Sequence, residues 1–351
     1  MAHILTLNLG STSSKIALFD DHTCVITETL RHTVEEVSGT VEEQTAFRLQ
    51  VVNNFLQNHH IETFDAIAAR GGLLKPISGG TYLINEAMTK DLLASKYGSH
   101  ASNISTLLGG QLSKAYNKPA YIVDPVVVDE MSPMAKMTGL KFMERRSIFH
   151  ALNQKAVARN YAERINRSYE ELNLIVAHLG GGITVGTHAG GRVVDVNDGL
   201  SGEGPFSPER AGSLPANQLA RHVIESQLTI DDVAKLLSKR GGFVSHFGTT
   251  DAIAVEQRAL QGDAAAVLAY EAMAYQISKS IAAASVYFNG SADQIIMTGG
   301  LAYSNRLVNM ITERVQFIAG VTVMPGEKEM EALTAGVLRV LNKEEQPKVY
   351  A

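Results

Sequence analysis

Three kinds of residue in this chain stand where they could hold an oxyanion. Arg70 ends the apolar stretch DAIAAR, and a guanidinium entering a buried strand needs an anionic partner. In ILTLNLGSTSSKIALFD from Ile4 and LIVAHLGGGITVGTHAGGRVVDV from Leu174, a first apolar strand ends in a polar residue, Asn8 or His178, and a Leu, then passes through a glycine turn into a second apolar strand. In the first turn Gly10 is joined by the hydroxyls of Ser11, Thr12 and Ser13 and the ammonium of Lys15. In the second, Gly180, Gly181 and Gly182 let the backbone come close to a ligand. Converging N–H groups, hydroxyls and cations suit a phosphate-sized group, and two such hairpins facing one another would clamp a polyphosphate. A third glycine element, QIIMTGGLAYSNRLVNMI, reads as a strand, a turn at Thr298-Gly299-Gly300 and a helix, whose first N–H groups and dipole favour an anion or nucleotide.

The elements that must position these residues alternate in type. After the first hairpin come a strand in VITETLRHTV, a helix in TAFRLQVVNNFLQNHH and a buried strand in DAIAARGG. Helices follow from Asn85 to Tyr97 and from Ile104 to Asn117, then a strand in PAYIVDPVVVDEM that leaves its sheet at Asp124-Pro125. A helix from Ile148 to Arg164 leads into the second hairpin, which restarts the plan. The last strand, VTVMPG, feeds the helix EKEMEALTAGVLRVL, whose Ala332, Ala335 and Gly336 permit close packing. This order predicts an α/β protein with mixed sheets covered by helices on both faces. Two domains are expected: residues 1–148 completed by a returning helix at 330–351, and residues 149–329, with ligand bound in the cleft between them. A Walker loop is excluded, because the glycine turns of the two hairpins each join two strands, where a Walker loop opens a helix and reads GxxxxGK[ST].

Composition agrees with this plan. The 351 residues, 45% hydrophobic and 19% charged, exceed one ordinary core and suit two. A net charge of −5 without a dense basic stripe argues against a nucleic-acid partner. The single Cys24 rules out a disulfide framework and a zinc-cysteine site, which points to the reducing cytoplasm, with Cys24 an idle or packed thiol. No signal-peptide pattern precedes the first strand. The small-apolar stretch from Ala264 through Phe288 is broken by Glu271, Gln276 and Lys279, so a buried helix is expected there and no membrane association.

Four stretches, NLGSTSSK (Asn8 to Lys15), HLGGGITVG (His178 to Gly186), DGLSGEGPFSPERAGSLP (Asp198 to Pro215) and TGGLAYS (Thr298 to Ser304), resemble those of the acetate and butyrate kinase family, most closely its butyrate kinase branch. The resemblance implies a two-domain actin-like (duplicated ribonuclease H-like) fold and a homodimer or larger homo-oligomer. It also implies reversible phosphoryl transfer between ATP and a short-chain carboxylate with Mg²⁺, giving acyl phosphate and ADP. By the same resemblance Asn8, Ser11, Ser13 and Lys15 form the first phosphate motif, with Asn8 near the metal. His178, Gly180, Gly181 and Gly182 form the second, and Gly299 and Gly300 the third. Arg70 and Arg210 match arginines that meet the carboxylate and the transition state, Asp124 an aspartate that holds the metal or orients the nucleophile, and His150 a histidine that contacts the moving phosphoryl group. Glu329 matches a metal-side glutamate, in a run with Glu327 and Glu331 that leaves the register open. Two positions depart: Leu9 replaces the branch's usual Pro, and Ile253 lies where relatives often place an Arg beside the adenine.

These residue types fit the chemistry. Phosphoryl transfer needs charge held in place more than it needs covalent help. Paired guanidinium donors grip carboxylate and phosphate oxygens as lysine cannot. Gly71 and Gly72, directly after Arg70, would leave room beside the carboxylate, with Phe149 as a wall; such a hole would favour acids of about three to five carbons over acetate. Alternatives are an acetate or propionate kinase of the same fold, a kinase acting on a sugar hydroxyl, which would need a general base, and a nucleotide-switched actin-like binding protein.

Overall fold

A computed structural model describes residues 1–351. Its strands run β1 (His3–Leu9), β2 (Ser13–Asp20), β3 (Thr23–Arg31), β4 (Ala66–Ala69), β5 (Thr81–Leu83) and β6 (Ala120–Val123). They continue with β7 (Leu174–Leu179), β8 (Ile183–Ala189), β9 (Arg192–Val196), β10 (Gln294–Gly299), β11 (Val321–Pro325) and β12 (Lys348–Val349). The chain divides into two compact units, Met1–Val128 with Lys328–Ala351, and Asp129–Glu327.

The first unit holds a seven-stranded mixed sheet in the order β12-β5-β6-β4-β1-β2-β3. Strand alternation decides what each face of β1 meets. Leu5, Leu7 and Leu9 lie on one face and pack with Ile16 and Leu18 of β2, with Val52, Phe55 and Leu56 of helix Val41–Asn58, and with Ile104, Leu108 and Leu112 of helix Ala101–Tyr116. Thr6 and Asn8 point the other way, toward helix Glu329–Leu341; Thr6 Oγ1 lies 2.8 Å from Thr334 Oγ1. Gly336 lets that helix press on β6, since a Cβ there would come within 2.4 Å of Val123 Cγ1. Strands β5 and β12, three and two residues long, were not expected from the sequence, because so short a run shows no alternation.

The second unit holds a five-stranded sheet in the order β11-β10-β7-β8-β9. It repeats the core of the first: a three-strand antiparallel meander with a parallel strand beside its first member. Ile175, Ala177 and Leu179 of β7 pack against Tyr270, Met273, Ile277 and Ile281 of helix Ala264–Ser285. Leu174 and Val176 face Ala158 and Ala162 of helix Ala151–Arg164, so His178 shares their face. Residues 129–148, expected with the first domain, cluster here instead. Ser132 N donates to Val194 O (2.8 Å), and Arg145 pairs with Asp195 (2.8 Å) and Glu203 (3.1 Å). Four short helices between Ala216 and Leu260 fill a stretch to which the sequence reading gave no elements. No helix is long and apolar enough to cross a membrane.

Two consequences can be measured. Gly336→Val should destabilise the protein by about 1–3 kcal/mol through overpacking, read by urea unfolding, and should cost less in a Val123→Ala background, where the obstructing methyls are gone. His100 caps helix Ala101–Tyr116, its Nδ1 accepting from Ser102 N at 3.2 Å. Desolvation and then the Arg70 charge lower its pKa below the ordinary value of 6.5. The unfolded chain therefore takes up the proton first, and the cap's contribution, present above pH 6.5, is lost as pH falls below it. Between pH 7.5 and 5.5 the wild type should lose more of its urea midpoint than His100→Asn, whose side chain caps without titrating.

Candidate anion and phosphoryl site

In the first unit Asn8, the penultimate residue of β1, lies on the face covered by helix Glu329–Leu341, and the first residue of that helix meets it. Asn8 Nδ2 donates to Glu329 Oε2 (2.6 Å), while Arg70 Nη1 donates to Asn8 Oδ1 (3.2 Å) and lies 3.3 Å from Glu329 Oε1. Arg70 follows β4, the parallel neighbour of β1, and its backbone is tied by its N–H to Leu7 O (3.0 Å) and by Thr106 Oγ1 on its carbonyl (3.1 Å). The guanidinium thus has a fixed seat, with about a third of the side chain exposed (32%). Lys15 sits directly opposite Asn8 across the β1–β2 pair, on the same face and exposed. Ser11 is exposed and Ser13 half-buried in the turn that joins these strands. The sequence-predicted set Asn8, Lys15, Arg70 and Glu329 therefore occupies one region of one sheet face.

Asp124 is buried in the same unit, with a left-handed backbone (φ 37°) that Asp tolerates better than most residues. Its Oδ1 accepts Gly80 N–H (2.7 Å), and its own N–H donates to Gly80 O (3.1 Å). This clasp, a turn-forming use of the carboxylate, holds β6 where it leaves the sheet. Gly71 and Gly72 require a correction. A Cβ on Gly71 would come within 2.5 Å of Pro125 Cβ, and one on Gly72 within 2.6 Å of Asn103 Oδ1 and 2.9 Å of Leu92 Cδ2. The volume their missing side chains leave is filled by the chain itself; these glycines serve close packing, and they open no hole for an acyl chain.

The second unit repeats the device with other residues. His178, penultimate in β7, faces the first turn of helix Ala151–Arg164, where His150 is the N-cap. Asn153 links the two rings: its N–H donates to His150 Nδ1 (3.3 Å) and its Oδ1 meets His178 Nδ1 (2.9 Å). The amide is oriented by Nδ2 donating to Gly326 O (3.4 Å). An accepting Nδ1 leaves the His150 proton on Nε2, which faces Glu327 Oε2 at 3.5 Å. His178 must carry its proton on Nδ1, so its approach to Glu327 Oε1 (3.1 Å) is favourable as an imidazolium. Hydrogen bonds from His150 and then His178 hold the Glu327 carboxyl far below the usual carboxylate range. The ligating atoms of these three residues lie within 4.8 Å of one another, a set whose imidazoles suit zinc-class ions more than magnesium. Glu327 stands in the run whose register the sequence leaves open, whereas Asn153 on a helix carries no sequence signal.

The glycine turn after β7 lies against this cluster. A Cβ on Gly180 would come within 3.0 Å of His178 Nε2, one on Gly181 within 3.2 Å of Glu209 Oε1 and one on Gly182 within 2.7 Å of Arg210 Nε. Ser207 binds the turn from its hydroxyl to Gly181 O and locks the SPER segment, Ser207 N donating to Arg210 O (3.1 Å) and Ser207 Oγ accepting Arg210 N–H (3.2 Å). Gly242 makes that segment possible: it adopts φ +57°, and a Cβ on it would collide with Ser207 O at 1.6 Å. Arg210 donates to Ser238 O (3.3 Å) and meets Glu209 (3.4 Å), while its Nε–H has no acceptor; burial lowers its pKa without approaching neutrality. Gly299, at φ +87°, crosses within 2.4 Å (as a Cβ) of Leu179 O, so the third glycine element abuts the second, and Gly300 opens a short helical turn with nothing close to it. Phe149 is buried beside the His150 cap. Ile253 is exposed on helix Ala252–Leu260, and Cys24 is exposed with its thiol pKa raised by burial and then by Glu331.

Known proteins place this architecture. A family model described as the acetokinase family matches residues 132–347. Among solved structures, a propionate kinase from Francisella tularensis subsp. tularensis SCHU S4 is 20% identical with a TM-score of 0.76, covering 96% of this chain and 99% of that one. An acetate kinase from Porphyromonas gingivalis is 17% identical, with a TM-score of 0.78 and coverage of 97% and 100%. One from Entamoeba histolytica is 16% identical, with a TM-score of 0.76 and coverage of 95% and 98%. The two helix-flanked mixed sheets are those of the actin-like ATPase fold of acetate kinase, and the chain belongs to the acetokinase family.

Proposed function

We propose that this protein is an ATP-dependent short-chain carboxylate kinase, acting reversibly on butyrate or another acid of three to five carbons. The observation that supports the kinase reading most directly is the seating of Arg70 between Asn8 and Glu329 at the mouth of a Ser-rich turn. A carboxylate is already ionised at pH 7 and needs no base. Its oxygen forms the new O–P bond as the bond between the γ-phosphorus and its bridging oxygen breaks, and ADP leaves with that electron pair. Charge on the three equatorial oxygens is what the protein must stabilise. Arg70 aligns the acid or acyl phosphate through paired donors; in the second unit Arg210 has an Nε–H with no acceptor in the chain and would donate it to a phosphoryl oxygen, whereas His150 and His178, whose Nε2 atoms face Glu327, would donate only on exchanging that carboxylate for phosphate. The carbonyl oxygen of Asn8 and the carboxylate of Glu329 are the hard donors that Mg²⁺ prefers, and they would hold it; the ion would offset phosphate charge.

The butyrate reading rests on the EGPFSPERAG segment and the length of the chain, since the packing around Gly71 and Gly72 no longer supports it. That filled space favours a second reading, an acid as short as acetate. Acyl hydroxamate formation with C2 to C6 acids and Mg-ATP separates the two. The expected kcat/KM peaks at C3 to C5, at least about 10-fold above acetate, since each methylene in an apolar pocket contributes roughly 1–3 kcal/mol. A peak at acetate would select the second reading, and ATP hydrolysis with no acid-dependent product would remove the kinase assignment in favour of a nucleotide-switched binding protein. Arg70→Lys keeps the charge beside Glu329 but loses the planar fork. It should lower kcat/KM for the acid about 100-fold, roughly 3 kcal/mol of transition-state stabilisation, while ADP affinity measured by calorimetry stays within twofold.

A further inference from the structure

Beneath the first turn lies a charge that the proposed chemistry has not used. Arg48 occupies the buried face of helix Val41–Asn58, in line with Thr45, Val52, Phe55 and Leu56, and is fully buried (0% exposed). No carboxylate pairs with it. Nη2 donates to Ser11 O (2.9 Å) and Nη1 to Ser13 O (2.9 Å), with a longer contact to Ser14 Oγ (3.5 Å), while Nε–H has no acceptor. Burial lowers its pKa, yet an arginine stays cationic in proteins. Its titratable neighbour His32 adds no counter-charge: desolvation, then the Arg48 charge, depresses the pKa of that imidazole, against a smaller opposing effect of Glu36. His32 joins the same underside, its N–H donating to Thr12 O (2.9 Å) and its Nε2 lying 2.8 Å from Ser14 Oγ.

The Ser11 and Ser13 carbonyls are thus held by the buried guanidinium, while the Thr12 carbonyl is held by the backbone N–H of His32 and the Ser13 carbonyl also takes the Gly10 N–H. In a planar trans peptide the N–H points opposite to the C=O, so fixing the Ser11 carbonyl inward turns the Thr12 N–H outward. A buried cation left without a carboxylate is costly, and its field falls on the turn directly above it. A cation that gains nothing from its own fold but neutral carbonyl dipoles would gain most from an anion seated on that turn.

We propose that Arg48 is a positioning residue for the anion turn at residues 10–13: from below, it fixes the turn's peptide planes and supplies an uncompensated positive charge that favours a phosphoryl group bound above. This rests on the carboxylate-kinase reading only in identifying that group as the phosphoryl of the acyl phosphate.

The experiment compares wild type, Arg48→Gln and Arg48→Lys in the acyl-phosphate-to-ATP direction, with unfolding midpoints measured in parallel. Arg48→Gln should raise KM for acyl phosphate at least tenfold and leave KM for ADP within twofold, and Arg48→Lys, which keeps the charge, should recover most of the loss. Equal drops in midpoint for both variants with KM for acyl phosphate unchanged would make Arg48 a structural residue and overturn the proposal. Should Arg48→Gln fail to fold, the wild type carries the test. The Arg48 Nε–H resonance, shielded from solvent, should move on titration with inorganic phosphate at concentrations that shift the Ser11–Ser13 amides; a stationary resonance overturns the proposal. A wild type without acid-dependent turnover whose Arg48 resonance still follows phosphate would sink the kinase reading and keep the anion turn.

Discussion

The pleat of two β-strands is the constraint on which the site depends. Side chains alternate across a strand with period two, so once Leu5, Leu7 and Leu9 of β1 are committed to one core, Asn8 must face the opposite helix layer. The same holds in β7, where Ile175, Ala177 and Leu179 enter one core and His178 is turned to the other side. In both units a helix begins where the strand ends, and its first turn delivers the partner: Glu329 to Asn8, His150 and Asn153 to His178. A one-residue slip of register in either strand would reverse that strand's side chains and dissolve the cluster it carries.

Charge inside the protein is distributed unevenly, and the unevenness follows use. Lys155 and Glu130, almost fully buried, neutralise each other at 2.8 Å, an arrangement that a stable core requires. Arg145 is saturated by Asp195, Glu203 and two carbonyls, and its pKa rises despite burial. Arg48 and Arg210 differ. Each lies against a glycine turn, each has an Nε–H without an acceptor, and burial moves the pKa of each downward. Their hydrogen bonds go mostly to backbone carbonyls, which are neutral dipoles, whereas the cations paired with carboxylates join elements. Glu327 is the converse case, a carboxylate held ionised by two imidazoles.

Much of this could be read from residue order. The apolar alternation of β1, β2, β7 and β8, the glycine turns and the returning small-residue helix all leave local signatures. Arg48 left one too: it repeats with Thr45, Val52 and Phe55 on an apolar helix stripe, where a guanidinium has no ordinary business. Other features left none. The segment 129–148 has no strong periodicity, and its place in the second unit comes from long-range pairs such as Arg145 with Glu203. Gly71 and Gly72 look like open space in a sequence, because a missing side chain does not say what fills the volume it leaves.

Sequence alone determined the local chemistry of this protein: which strands alternate, where the backbone can turn tightly, and which short segments carry anion-binding residue types, since these depend on neighbours a few positions apart. Tertiary structure decided the partners. That Glu329 serves Asn8 and Arg70 while Glu327, two residues earlier, serves His150 and His178 follows from where the chain passes from one compact unit to the other, between Glu327 and Lys328. Such a division is invisible in the run EKEME, because it is set by packing against strands more than a hundred residues away.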